Sequence, residues 1–281
     1  MDWPKAKTIL ILILLALNII LLGNIFFYRS EEGVSRETIA YAGEILSKRG
    51  ITLQCEIPLN NGSIQALIFE NNKFENTEMI EGLIGKIDIS QLDALKRGEV
   101  VTSGSSSIFC EGNSVLTYEN EDPSENIDIS DMDKAEKYLR KWLSGLGLDI
   151  SRYILDEYVK SSNESVSCTF IEKYRNLLAF DNKVILSINK KGVTRLIWNN
   201  KKVRGFSSYS TKIMPAYQVL LKNFNDNEKL VITNIDLGFK GFDPAQDLKE
   251  SQERPKWRVM IRGRAPKYFN ARDGKEIEQA E

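Results

Sequence analysis

The chain opens on an unbroken apolar run and then settles into two alternating rhythms. No residue between Lys7 and Arg29 is charged, and the segment Ile9 to Tyr28 is dominated by Ile, Leu and Phe. A helix rising about 1.5 Å per residue covers the roughly 30 Å of a bilayer's hydrocarbon over that interval. The pattern predicts a transmembrane helix over residues 9–28. Lys5, Lys7 and the amino terminus precede the run, whereas Glu31 and Glu32 offset Arg29. The positive-inside bias places residues 1–8 in the cytoplasm and the remainder outside, as a single-pass cell-membrane protein. A secretory signal peptide starts in the same way, but its apolar core is about half as long and closes on a small-x-small cleavage site. This run closes on Ile25-Phe26-Phe27-Tyr28, and no cysteine near its end marks a lipoprotein.

Beyond the run, caps and 3.6-residue spacing mark helices. Ser35 is placed as the N-cap of a helix over Glu37 to Arg49, with Ile39, Ala42, Ile45 and Leu46 on one side and Gly50 as its stop. Ile51 to Pro58 and Ser63 to Glu70 flank Asn60-Asn61-Gly62 and predict a hairpin, its first arm shortened by Pro58. Ser90-Gln91-Leu92-Asp93 matches a capping box before a short helix ending at Lys96-Arg97-Gly98. Short strands are expected near Glu99 to Thr102, Ile108 to Cys110 and Ser114 to Tyr118.

The acidic stretch Glu119 to Asp128 contains Pro123, lacks apolar periodicity and reads as an exposed linker. Asp128, Asp131 and Asp133 lie close together but lack the order and closing Glu of a calcium loop. Ser130 and Asp133 form a second capping-box match, opening a helix with Ala135, Tyr138, Leu139, Trp142, Leu143 and Leu146 on one core-facing stripe.

After Leu148 the rhythm changes to strands. Tyr153 to Lys160, Ser165 to Tyr174, Leu177 to Phe180, Lys183 to Asn189 and Val193 to Trp198 are separated by turn-forming groups, Asp181-Asn182 among them, and read as an antiparallel meander. A helix starts near Pro215 with Tyr217, Leu220, Leu221 and Phe224 in a stripe. Strands Leu230 to Phe239 and Lys256 to Arg262 follow, then a hairpin through Tyr268-Phe269 and Asp273-Gly274. In Trp257 to Arg262, alternation turns Trp257, Val259 and Ile261 to the core and Arg258 and Arg262 to solvent. The fold class predicted is α+β: an N-terminal transmembrane helix, then extracytoplasmic antiparallel β-sheets with helices packed on one face, in related tandem units. The outer part divides into a first α+β region over 29–122 and a second over 123–281 with two helix-plus-sheet units.

Composition narrows the chemistry. The 281 residues include no histidine, which removes Ser-His-Asp and Cys-His catalysis, His-containing zinc sites and the commonest general base. Cys55, Cys110 and Cys168 are too scattered for a Cys-x-x-Cys ligand pair, and Cys168, in an alternating run, reads as a buried small hydrophobe. Ser187 and Lys190 match Ser-x-x-Lys in letters only, because on a strand residues three apart face opposite ways. A net charge of −1 with no basic block excludes nucleic acid as a partner. No catalytic, cofactor-binding or metal-binding residue is assigned, and no cofactor.

Met1-Asp2-Trp3 with Lys5 and Lys7-Thr8, ahead of an Ile/Leu-rich segment containing Asn18, resembles the start of the YycH/YycI (WalH/WalI) family, its YycI branch above all. The closing run Ile235-Asp236-Leu237-Gly238-Phe239-Lys240-Gly241-Phe242, then Pro255-Lys256-Trp257-Arg258-Val259, then Tyr268-Phe269-Asn270-Ala271 and Asp273-Gly274 is similar to that family's C-terminal segment. The resemblance implies a membrane-anchored regulator of the WalK/WalR (YycG/YycF) two-component system of low-GC Gram-positive bacteria, which governs the cell wall. It implies no enzyme. The implied partners are the sensor histidine kinase, a YycH-like sister protein and the membrane itself.

Helix partners in lipid are chosen by packing and hydrogen bonding, because apolarity does not distinguish protein from acyl chain. Asn18 is therefore the leading contact, with Leu14, Leu21, Leu22 and Ile25 on the same side at helical spacing. The bland reading, an Asn tolerated in a plain tether, stands beside it. From other function classes stand an extracytoplasmic tethered cell-envelope enzyme, for which acidic residues exist but no placed motif, and a passive ligand-binding or inhibitor module.

Overall fold

Ser35 opens the first helix beyond the apolar run, its hydroxyl accepting from Thr38 N–H at 3.1 Å. The computed structural model describes residues 7, 10–22, 34–70, 77–111, 115–161, 164–199, 201–225, 229–241 and 250–277. In chain order, after the helical residues 10–22, the elements are α1 (Arg36–Lys48), β1 (Ile51–Leu53), β2 (Ser63–Glu70), α2 (Thr77–Ile84), α3 (Ile89–Lys96), β3 (Val101–Ser103), β4 (Ser106–Glu111), β5 (Val115–Asn120) and α4 (Met132–Gly145). A 3-10 turn (Ile150–Arg152) leads to β6 (Tyr153–Lys160), β7 (Ser165–Tyr174), β8 (Leu177–Asn189), β9 (Gly192–Asn199) and β10 (Lys202–Lys212). The rest are α5 (Ala216–Asn223), β11 (Leu230–Phe239), β12 (Glu250–Glu253), β13 (Pro255–Ile261), β14 (Lys267–Asn270) and β15 (Glu276–Ile277). Mixed α+β architecture with large antiparallel sheets follows the sequence pattern.

The chain forms two units. The first is assembled from residues 1–64, 212–235 and 259–281. In it α1 packs on α5 and on β1, burying Ala42 and Leu46. Arg49, just past α1, donates to the carbonyls of Leu221 and Phe224 at 2.8 and 3.1 Å, so a cation serves the C-terminal end of α5. Phe224 meets Phe269 edge-on with ring centroids 5.8 Å apart.

The second unit comprises residues 65–211 and 236–258. Its antiparallel strands run in the order β8-β9-β5-β4-β3, with β7 on the other side of β8 and β6 beyond β7. Helices α2, α3 and α4 bury Met79, Ile80, Leu95, Ala135, Leu139 and Leu143 in one core with the sheet residues Phe170, Val184, Leu186 and Leu196. The end of β11 joins β8 in parallel, Gly238 opposite Leu178. A smaller sheet orders β10-β2-β12.

Several expectations are corrected. Ile51–Leu53 does not form a hairpin with Ser63–Glu70; β1 pairs in parallel with β11, Ile51 opposite Leu230, while β2 pairs with β12. Each arm instead finds a partner far along the chain, a choice that a local turn signal such as Asn60-Asn61-Gly62 does not report. The helix α2 was not read from the sequence, although Met79, Ile80, Leu83 and Ile84 mark its buried side. The caps sit at Asp88, in a full capping box with Gln91, and at Asp131, two residues before and one residue after the expected Ser90 and Ser130. The acidic stretch is no free linker: Pro123, Ile127 and Ile129 are buried, and the N–H groups of Glu125 and Ile127 donate to the carbonyls of Lys191 and Lys190. Leu177 to Asn189 is one strand, not two.

Candidate functional site

Residues 10–22 are helical and every side chain along them is exposed. The large apolar ones keep between 49% (Leu21) and 64% (Ile19) of their surface uncovered. Leu14, Asn18, Leu21 and Leu22 fall within this helix at the spacing that puts them on one side. Ile25 lies outside the described residues, as do Asn24, Arg29 and the Met1-Asp2-Trp3 start. Among the described residues no helix is long and apolar enough to cross a membrane. The expected span over residues 9–28 is thus seen as 13 helical residues only.

A second group of side chains, unforeseen from the sequence, centres on β8. Ile171 of β7 faces Lys183, yet the next residue, Glu172, faces Ala179. Phe180, Asp181 and Asn182 are therefore unopposed and bulge out of the ladder. The pair that reads as a turn makes a bulge instead. Each of the three serves a different charged contact. Phe180 lies beneath the Arg258 guanidinium, 4.8 Å from its ring centroid. Asp181 accepts from Gly241 N–H at 2.6 Å and stands 4.0 Å from Lys201 Nζ. Asn182, fully buried, donates to Glu172 at 2.6 Å and to the Lys201 carbonyl at 2.7 Å, and accepts from Lys201 N–H at 3.0 Å.

Arg258 corrects the sequence reading, for it is 2% exposed rather than solvated. Alternation did turn it away from Trp257 and Val259, but β13 is covered on both faces. Its Nη1 and Nη2 donate to Asp156 at 2.7 and 2.6 Å, and Nε and Nη2 donate to Asp236 at 3.1 and 2.6 Å. Burial works against its charge, but the hydrogen bonds and field of Asp156, then those of Asp236, outweigh it and raise its pKa. Arg262, by contrast, is exposed as expected.

Glu253 is 3% exposed, with Lys201 Nζ 3.4 Å from Oε1 and no hydrogen-bond partner for Oε2 among the described residues. Burial, then the nearby Asp181 charge, pushes its pKa up to about 7 against the pull of Lys201 and Lys256. Lys256 donates to the Lys240 carbonyl, and burial lowers the pKa of both lysines. Beside this cluster a cleft of about 430 Å³ is lined by Arg152, Tyr153, Glu172, Trp198 and Lys201. Its Arg152 is divided between Asp149 at 3.3 Å and Glu172 at 3.5 Å.

These carboxylates are all engaged by cations. No group of three or more His, Cys, Asp or Glu among the described residues is placed to hold a metal ion. Burial pushes the Cys110 and Cys168 thiols up to about 11, so neither is a thiolate at neutral pH.

What the fold defines is a mixed α+β protein with a buried, internally paired charged centre. A crystal structure at 1.45 Å resolution of an uncharacterized protein from Eubacterium rectale ATCC 33656 is similar in fold, with a TM-score of 0.51 at 11% identity, over 82% of this chain and 91% of that one. No curated protein matches the sequence. The model of the YycI protein family matches residues 29–272, and the chain belongs to that family. It is a family of regulatory proteins, generally associated with membranes, whose membership points to a role in the YycG/WalK system.

Proposed function

We propose that this protein is a single-pass membrane regulator that biases the conformational equilibrium of a YycG/WalK-type sensor histidine kinase, acting with a YycH-like sister protein. The family match over residues 29–272 carries this reading. Family membership supplies the kinase system, and the exposed apolar helix supplies a means of reaching it. A helix apolar on every side belongs in a protein core or in lipid. In this reading the run over 9–28 is its anchor, with residues 1–8 in the cytoplasm and the two units outside.

A neighbour that binds one state of a kinase better than the other shifts the equilibrium by its differential affinity, and a few kcal/mol is sufficient. Asn18 is the contact assigned to that task, flanked by Leu14, Leu21 and Leu22. An interhelical hydrogen bond from such a residue contributes roughly 0.5–2 kcal/mol.

A photoreactive residue at position 18 tests this in native membranes. Capture of the kinase is expected, and Asn18→Leu should shift kinase output while leaving the thermal midpoint of the outer units unchanged. Capture of lipid alone, or unchanged output when an unrelated anchor replaces the helix, would overturn the helix contact. Alkaline phosphatase fused after Glu32 should be active; an inactive fusion at good expression would reverse the topology.

A further inference from the structure

The first unit holds a cleft of about 770 Å³, formed where α1 begins, where the chain approaches β2 and where β10 passes into α5. Two cations line it, Lys212 and Arg272, both exposed. Neither side chain makes an ion pair or hydrogen bond among the described residues. Arg152, which lines the cleft of the second unit, is by contrast compensated by Asp149 and Glu172. Here no acidic residue among the described residues lines the wall.

The rest of the polar lining is hydroxyl and amide. Ser35 and Thr38 share a hydrogen bond at 2.9 Å, and Gln218 Nε2 donates to the Tyr217 hydroxyl at 3.0 Å. The N-cap residues of α1 and α5, Ser35 and Pro215, both stand in the cleft, and Pro215 offers no side-chain cap. The positive end of α5, without a side-chain cap, thus adds to the two cations, while α1 is already capped by Ser35. Val34, Met214 and Pro215 supply apolar wall.

We infer that this cleft binds the phosphate of an organic phosphate ester. An Arg fork and a Lys point charge suit a tetrahedral anion with several acceptor oxygens, and the hydroxyl and amide groups suit its ester oxygens. The volume far exceeds a bare phosphate, so an organic group occupies the remainder against Val34, Met214 and Pro215. The ester is either a soluble one or the headgroup of an anionic phospholipid. Only the lipid source rests on the anchoring reading: Val34 follows Tyr28 by six residues, which reach about 20 Å at most.

The test uses the full chain in neutral detergent micelles, titrated calorimetrically with glycerophosphoglycerol, the soluble headgroup ester of phosphatidylglycerol. Saturable binding is expected, weakened ten-fold or more in the double variant Lys212→Gln/Arg272→Gln with an unchanged thermal midpoint. The charge-conserving pair Lys212→Arg/Arg272→Lys should retain binding, and so should Lys137→Gln/Lys141→Gln on α4. Absence of saturable binding, or equal affinity in the charge-removing double variant, overturns the site. In phosphatidylcholine nanodiscs doped with photoreactive phosphatidylglycerol, crosslinking near residues 212–218 assigns the lipid as the source. Binding of the soluble ester without that crosslink assigns a free ester, and it leaves the phosphate site standing even if the anchor reading fails.

Discussion

Arg258 and Asp156, 102 positions apart in the chain, meet in a bidentate pair at 2.7 and 2.6 Å with both side chains nearly sealed from water. Asp236 completes the shell, and the Phe180 ring closes it from below. A buried charge held this way is weak evidence of net stabilisation, because desolvation opposes the attraction. Removing one partner, however, strands the other.

Arg258→Met should therefore destabilise the protein by about 3–5 kcal/mol, the usual cost of breaking a buried pair. Arg258→Lys should fall between the two, since an ammonium cannot reproduce the fork. Replacing Arg258 and Asp156 together by apolar residues should recover much of the loss. Urea unfolding of the three variants checks this. A loss below 1 kcal/mol for Arg258→Met would show the guanidinium to be hydrated in solution.

Glu253 carries a pH signature. Its folded pKa of about 7 lies above the ordinary 4.5, so between those values the folded state holds the proton more tightly than the unfolded chain. Stability from this group is complete below the lower value, falls as pH rises through the window, and levels off above the upper one. The drop amounts to about 3 kcal/mol at 1.36 kcal/mol per pKa unit. Glu253→Gln has no such dependence, so the wild type should lose ground to it between pH 4.5 and 7 in paired unfolding measurements. Parallel curves would place Glu253 in water.

Gly238→Ala should disrupt the parallel join of β11 to β8. An added Cβ would lie 2.3 Å from the Leu178 carbonyl oxygen and 2.7 Å from the Phe180 ring, and the backbone oxygen cannot move without breaking the pairing. The cost should be at least about 1–3 kcal/mol, that of overpacking a core. The thermal midpoint reports it, and Gly43→Ala, whose added Cβ meets only Leu53 Cδ1 at 3.9 Å, is the control.

The three cysteines should separate by reactivity. Cys110 and Cys168 are buried with raised pKa values, whereas Cys55 is half-buried. A thiol reagent at neutral pH should label Cys55 in the folded protein and the other two only after denaturation, as read by peptide mass. Prompt labelling of Cys168 would mean that the β7–β8 region opens locally.

Features settled within a few residues were legible from the sequence. Ser35, Lys48 and Gly50 bound α1, and alternation in Ser165 to Tyr174 marks β7, because caps and periodicity act over one or two turns. The charged centre was not legible. Alternation reports which way Arg258 points, but whether that side meets water depends on Asp156 and Asp236, which arrive from other strands. Asp181-Asn182 carries turn chemistry wherever it occurs, and only the ladder opposite shows that the turn is a bulge. The pairing of Ile51 with Leu230 has no local signal at all. As for Asn18, it shares a helix with Leu14, Leu21 and Leu22, while Ile25 falls outside the described residues, and what meets that side is the question put to the crosslinking experiment.

The first unit draws on three separate stretches of the chain, and this dictates when it can form. Ile51 waits for Leu230, about 180 positions later, which at ~5–20 residues per second is on the order of ten to forty seconds of synthesis. Helix α1 emerges early and has no finished surface to dock on until α5 has followed. Its apolar side, Ala42 and Leu46, thus lacks the α5 part of its cover throughout that interval, and a chain truncated before Ala216 would never gain it.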